Sequence, residues 1–392
     1  MKRGIAVTIV VALFGCGDGS GGGTAATPTA TTTPSATPDA DGGRVFAMGS
    51  GPSVVRSENG GQSFARVADI DALGSQLFAL TFVDELRGWA IGNRFRELPT
   101  ILHTSDGGES WVSQTENIVV EDQTVWRLGD LAFSSAERGV AVGVVQEDLH
   151  LSARPVILST VDGGAEWRSV LTLGRAAVLR SVCLNADGSG LAIGASAVSG
   201  SAVVRTDDGG MTWRDITAEV GLFLGADLKA VSCTETGQFS VGGNRLRFPT
   251  PVLPVPRGTL LFSPDDGGTW EDRTPPSLRN TSDSVVSLDF TDGRNGWALA
   301  DGHMVVFHTE DAGVTWIEQA LPDDVPGRVR ELDFRDAHRG VVVGSTVPED
   351  GSGSRPLVFT TADGGDTWAR GTVPDDVLGL RDVVFLPAAP GS

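Results

Sequence analysis

Seven short stretches of this 392-residue chain set a carboxylate or amide in a glycine-rich turn, at Asn59, Asp106, Asp162, Asp208, Asp265, Asp311 and Asp363. Carboxylates in such turns are raw material for calcium loops and for acid/base pairs. Their surroundings point elsewhere. Each sits in one frame, Ser/Thr-x-Asp-x-Gly-x-Thr-Trp, over residues 57–64, 104–111, 160–167, 206–213, 263–270, 309–316 and 361–368. The first copy is degenerate, with Asn59 and Phe64 in the Asp and Trp places. Identical use in every repeat predicts a structural job. The Asp bonds turn amides, the second Gly takes a backbone angle that a Cβ would forbid, and the Ser/Thr hydroxyl closes the loop.

A second set of residues is basic. Four residues before the Phe position of a recurring Leu-x-x-Leu-x-Phe strand, the repeats carry Phe78, Gly129, Arg180, Lys229, Val286, Arg330 and Arg381. Four cations at one repeat position stand out in a chain of net charge −20. Near a channel mouth, Arg180, Lys229, Arg330 and Arg381 would attract carboxylates, a chain terminus or an acidic peptide. The alternative is that each pairs with a nearby carboxylate such as Asp382 or Glu331. Residues 243–257 hold Arg245, Arg247 and Arg257 with Phe248 and four prolines, and read as a stiff, basic loop. Such a loop either recognises a ligand or folds over its own repeat.

Other chemistry is thin. His103 and His308 occupy one repeat position, and neither His150 nor His338 has a ligand at metal spacing, so no metal site is expected. The Gly pairs belong to turns and form no phosphate loop, and no cofactor is expected. So acidic a surface repels phosphate backbones, which excludes nucleic acid as a partner.

The elements that must position these residues are short strands. Before each turn lies a Gly-bounded strand such as Gly88-Trp89-Ala90-Ile91-Gly92, and before that the Leu-x-x-Leu-x-Phe strand, as at residues 77–82, 128–133, 285–290 and 329–334. Each unit is four strands, A to D, with the turn between C and D. One such sheet cannot bury both faces alone, so the units must pack side by side as propeller blades. The first unit lacks strand A, and residues 380–385 form an A strand with nothing after it. The prediction is an all-β, seven-bladed propeller of four-stranded blades, closed by the C-terminal strand completing the first blade. Cys183 and Cys233 lie one residue out of register on inner strands of adjacent blades. They are expected to face opposite ways and to stay two buried thiols.

The repeated turn resembles the Asp-box, or BNR, repeat of sialidases, sortilin-type receptors, xyloglucanases and the photosystem II assembly factor. The resemblance spans roughly residues 44–387, and strands such as Gly296-Trp297-Ala298-Leu299 look most like the assembly factor. It implies a binding face made of the B–C and D–A loops and the channel mouth. It also implies an arginine patch that takes a protein partner. A sialidase reaction would need a Tyr nucleophile, and the chain contains no Tyr. At the N-terminus, Lys2 and Arg3 precede a short apolar run ending in Leu13-Phe14-Gly15-Cys16, which resembles the lipobox of bacterial lipoproteins and implies lipidation of Cys16.

The expected organisation is therefore a signal peptide (1–15), a lipidated Cys with a flexible linker (16–43), the propeller (44–387) and a tail (388–392). The expected role is that of a non-catalytic, exported, envelope-tethered monomer that binds a protein or peptide and touches membrane only through its lipid. The alternative is a carbohydrate-binding or glycoside-hydrolysing propeller.

Overall fold

The computed structural model describes residues 42–50, 53–69, 76–93, 99–119, 125–146, 153–170, 177–196, 200–221, 226–250, 253–322, 327–346 and 353–386. Cys16, the apolar leader, the linker to residue 41 and the tail from 387 lie outside them. The strands form seven sheets of antiparallel order A-B-C-D. Blade 4, for example, runs Ala177–Leu184, Gly190–Ser196, Ala202–Thr206 and Arg214–Asp215. Blade 3 takes a fifth strand: Ile118–Val119, leaving blade 2, pairs parallel with Trp167–Ser169. No helix among the described residues is long and apolar enough to cross a membrane.

The predicted closure is present. Leu378–Phe385 serves as strand A of the first blade and pairs with Val45–Ser50, from Val45↔Phe385 to Ser50↔Leu378. The sheet edge of the first blade is thereby covered by the other end of the chain.

The core lies between blades. The buried apolar residues fall into seven clusters, and each joins two neighbouring sheets. In one, Trp89 of blade 2 stacks on Phe133 of blade 3 at 3.6 Å; in another, Trp297 of blade 6 stacks on Phe334 of blade 7 at 3.7 Å. A strand buried on both faces cannot alternate apolar with polar, which is why strand B of blade 6, Gly296–Ala300, is buried at every residue. The Gly that opens strand B has a packing cause. A Cβ on Gly340 would stand 2.3 Å from the Phe334 ring that ends strand A.

The segment 243–257 differs from its expected loop. Strand B of blade 5 continues through Gln238–Thr250 and strand C starts at Leu253, so the two form a long hairpin with Arg245 opposite Arg257 and Leu246 opposite Pro256. Pro249, Pro254 and Pro256 lie within these strands without breaking them, because a two-stranded ribbon leaves outward positions where no N–H is needed.

Candidate functional site

The repeated turn is built by its own side chains. In blade 2, Thr104 Oγ1 donates to Asp106 Oδ1 at 2.8 Å and accepts from the Gly108 amide at 2.9 Å. The Ser110 amide donates to the same carboxylate oxygen at 2.9 Å. In the degenerate copy Asn59 keeps the acceptor, taking the Ser63 amide at 3.0 Å, and its own amide donates to Ser63 Oγ at 2.9 Å. The fit of Asn explains why loss of the charge is tolerated there. Hydrogen bonds from Ser110 hold the Asp106 carboxyl below the ordinary range, and the Thr269 amide and hydroxyl do the same for Asp265. Asp162, Asp208, Asp311 and Asp363 bond their Thr160, Thr206, Thr309 and Thr361 hydroxyls likewise. Each carboxylate is satisfied within its own loop, and no group of His, Cys, Asp and Glu fit to hold a metal occurs among the described residues.

The basic positions have a structural identity that charge alone did not disclose. In every blade strand A carries a register shift against strand B, between Leu179 and Ser181 in blade 4, Leu228 and Ala230 in blade 5, and Val329 and Glu331 in blade 7. The residue passed over is the one singled out by sequence: Arg180, Lys229, Arg330, and by the same shift Arg381, Phe78, Gly129 and Val286. These are β-bulges, which free one residue from the ladder and re-aim its side chain. The Gly closing strand B permits the bulge, since a Cβ on Gly344 would stand 2.1 Å from the Arg328 carbonyl oxygen.

A cavity of about 520 Å³ occupies the centre of the ring and is lined by Arg180, Lys229 and Arg381 together with Phe78 and Gly129. Arg330 is exposed and close enough to Arg381 to act on it electrostatically. Burial, then this neighbouring cation, pushes the Arg381 guanidinium down from its ordinary value. Arg381 lies 5.8 Å over the Phe78 ring, and Arg180 pairs with Asp227 at 3.4 Å. Arg180, Lys229 and Arg381, with Arg330 beside them, thus form a collar on the channel, whereas Val286 packs into the core between blades 6 and 7.

Below the collar lies a belt that the sequence reading missed: Asp130, Asp289, Glu331, Asp333 and Asp382 line the same cavity. They cap strand A amides of the next blade. Asp382 accepts from Leu80 N at 2.7 Å, Asp130 from Val182 N at 2.9 Å, Asp289 from Phe334 N at 2.7 Å and Asp333 from Phe385 N at 2.6 Å. Glu331 accepts from the Ser287 hydroxyl. Asp382 and Glu331, the carboxylates considered as partners for the arginines, thus spend these bonds on the frame. Burial pushes Asp130 and Asp289 up to about 6 and Asp382 to about 7. Burial raises Glu331 and Asp333 well above the carboxylate range, reinforced by the charges of Asp382 and Asp289 respectively. Their surfaces are partly exposed, and they line the cavity. A repeat of Asp or Glu at one or three residues before the Phe position was the signal for this belt.

The same geometry corrects the expectation for the cysteines. Cys183 and Cys233 form a disulfide, with Cα atoms 5.7 Å apart. Neighbouring A strands are staggered, so the residue one before the Phe position meets the Phe position of the next blade. Ser232 reaches Phe290 N in this way, as Asp289 reaches Phe334 N and Asp333 reaches Phe385 N. Cys183 and Cys233 hold these two places, so the one-residue offset that argued against a bond is what aligns them.

Other candidates are not brought to the cavity. Arg245 and Arg257 converge on Asp272 of strand D; the side chain of Arg247 lies outside the described residues, as does His150. His308 stacks on Trp297 at 4.8 Å and His103 packs on Trp89 at 4.9 Å, which is interior packing.

No family model matches the chain. Its curated relatives include a photosystem II assembly lipoprotein Ycf48 from Picosynechococcus sp., 25% identical over 70% of this chain and 84% of that protein. Another is the photosystem II assembly protein Ycf48 of Thermosynechococcus vestitus, 26% identical over 74% of this chain and 70% of that protein. Among solved structures, Ycf48 bound to a D1 peptide superposes with TM-score 0.52 at 19% identity, covering 81% of this chain and 94% of that one. An ancestral GH74 enzyme superposes with TM-score 0.53 at 12% identity over 87% of this chain and 46% of its own. At these identities the superpositions establish the propeller fold alone.

Proposed function

We propose that the chain is a non-catalytic propeller that captures an anionic segment of a protein or peptide partner at its basic collar. The observation carrying this reading is that bulge residues of five blades line one cavity, that Arg180, Lys229 and Arg381 are among them, and that a fourth bulge cation, Arg330, stands close to Arg381. Convergent guanidinium and ammonium groups over a cavity are suited to carboxylates, by charge-assisted hydrogen bonds. The relatives support it, being assembly proteins of which one has been solved with a peptide bound. The belt carboxyls are committed to backbone amides and Ser287, which speaks for a frame and against a hydrolytic acid/base pair.

The turns are, on this reading, Asp-boxes, and residues 44–387 form the whole folded body. Cys16 would be the lipidated first residue of the mature protein, with residues 16–43 as the tether to an envelope membrane.

The test is capture from envelope extract, using residues 41–392 as bait beside the Arg180→Glu/Arg330→Glu/Arg381→Glu variant. A protein retained by the native bait and lost by the folded variant is the expected result. Identical retention by both baits would make the collar structural and reject this site.

A further inference from the structure

In three blades the bulge residue is followed directly by a carboxylate that lines the channel. Arg330 precedes Glu331, Arg381 precedes Asp382, and Gly129 precedes Asp130. The belt and the collar cations Arg180, Lys229 and Arg381 line one cavity of about 520 Å³, and Arg330 stands close to Arg381. The belt groups also act on one another: Asp382, Asp130 and Asp333 repel the charge of Glu331, and Asp333 shares a hydrogen bond with Asp289. Of the cations, Arg180 is paired with Asp227, Arg381 lies over Phe78, and Arg330 repels Arg381. Lys229 completes the collar. Burial and mutual repulsion keep the belt protonated at a pH where an ordinary Asp is fully ionised.

We propose, resting on the reading that the collar binds the partner, that the channel is a proton-gated anion site. With the belt neutral, the negative charge closest to the collar is removed and the collar attracts an anionic segment more strongly. With the belt ionised, five carboxylates stand against the collar cations, Glu331 and Asp382 directly beside Arg330 and Arg381 in sequence, and the segment is released. Capture is therefore strong in mildly acidic surroundings and weak in mildly alkaline ones. The gate needs no moving part, because backbone amides hold Asp130, Asp289, Asp333 and Asp382 in place and the Ser287 hydroxyl holds Glu331.

A hexa-aspartate peptide carrying a sulfonated dye stays ionised throughout the useful range, and anisotropy reads its binding to the full chain. The native protein should bind it about tenfold more tightly near pH 5.5 than near pH 8. The Asp130→Asn/Asp289→Asn/Asp382→Asn variant keeps acceptors for Val182, Phe334 and Leu80 amides and should bind tightly at both. Arg180→Glu/Arg381→Glu should bind at neither. Should the triple variant fail to fold, Asp382→Asn alone must show a reduced pH dependence. Equal native affinity at the two pH values overturns the gate while leaving the collar as a binding site. So does a folded Asn variant that keeps the native pH dependence. Absence of native binding at both pH values rejects the collar reading, and the gate with it.

Discussion

At the residue scale the site depends on a missing side chain. Gly344 sits under the bulge of blade 7, and a Cβ there would meet the Arg328 carbonyl oxygen at 2.1 Å and Val329 Cα at 2.9 Å. Both atoms are backbone, so the clash cannot be relieved by a rotamer change. Gly344→Ala should cost about 1–3 kcal/mol of unfolding free energy as the bulge is forced to shift. Gly353→Ala, where nothing lies within 4 Å, should cost little and serves as the control. Equal midpoints for the two variants in denaturant titration would show that the bulge relaxes freely. Sequence made the bulge position visible through its cations and left its cause hidden. The Gly-to-Gly spacing of strand B looked like punctuation, whereas in blades 2, 3 and 7 the opening Gly leaves space for a Phe ring of strand A and the closing Gly for a strand A carbonyl.

Among elements, neighbouring A strands are tied by side chains that reach forward to the next blade, and only between blades 4 and 5 is such a tie covalent. The Cys183–Cys233 bond closes a loop with a sequence separation of 50, for which chain entropy suggests about 4 kcal/mol. Cys183→Ser/Cys233→Ser should therefore unfold at lower temperature than the oxidised protein, by an amount corresponding to about 2–4 kcal/mol. Reductant should lower the native midpoint towards the variant's and leave the variant unchanged. A native midpoint indifferent to reductant would mean that the bond adds nothing. Strand identities, their order and their number were legible because two repeating patterns ran in step. The bond was not, because each blade was read in its own register, and the stagger between blades is a property of two sheets together. The carboxyl belt escaped for a related reason: Asp and Glu at alternate strand positions look like an ordinary solvated face until seven strands enclose them. The hairpin of blade 5 was hidden by its prolines, which sequence rules count as breakers.

For the whole molecule, two sets of carboxyls pull stability in opposite directions with pH. The turn carboxylates have lowered values when folded, so what they contribute is present above the unfolded value near 4 and is lost as pH falls. The belt carboxyls are raised, so their contribution is present below that unfolded value and is lost as pH climbs through about 6 to 7. Asp382→Asn removes one such charge while keeping an acceptor for Leu80 N. It should stabilise the protein near pH 8 by about 1–3 kcal/mol, after allowance for channel water, and change little near pH 4. Thermal unfolding across that range decides it, and a variant less stable than the native protein at pH 8 would show the carboxylate to be favourable where it stands. The ring's closure has a consequence in time. Val45–Ser50 pairs with Leu378–Phe385, so the first blade made has to wait, one edge bare, until the last strand has left the ribosome. Every other blade completes itself from neighbouring sequence. Ring closure therefore comes after the other blades and carries the largest loop-closure entropy of any pairing in the propeller, and a chain halted just short of Leu378 would hold six finished blades and an open seam.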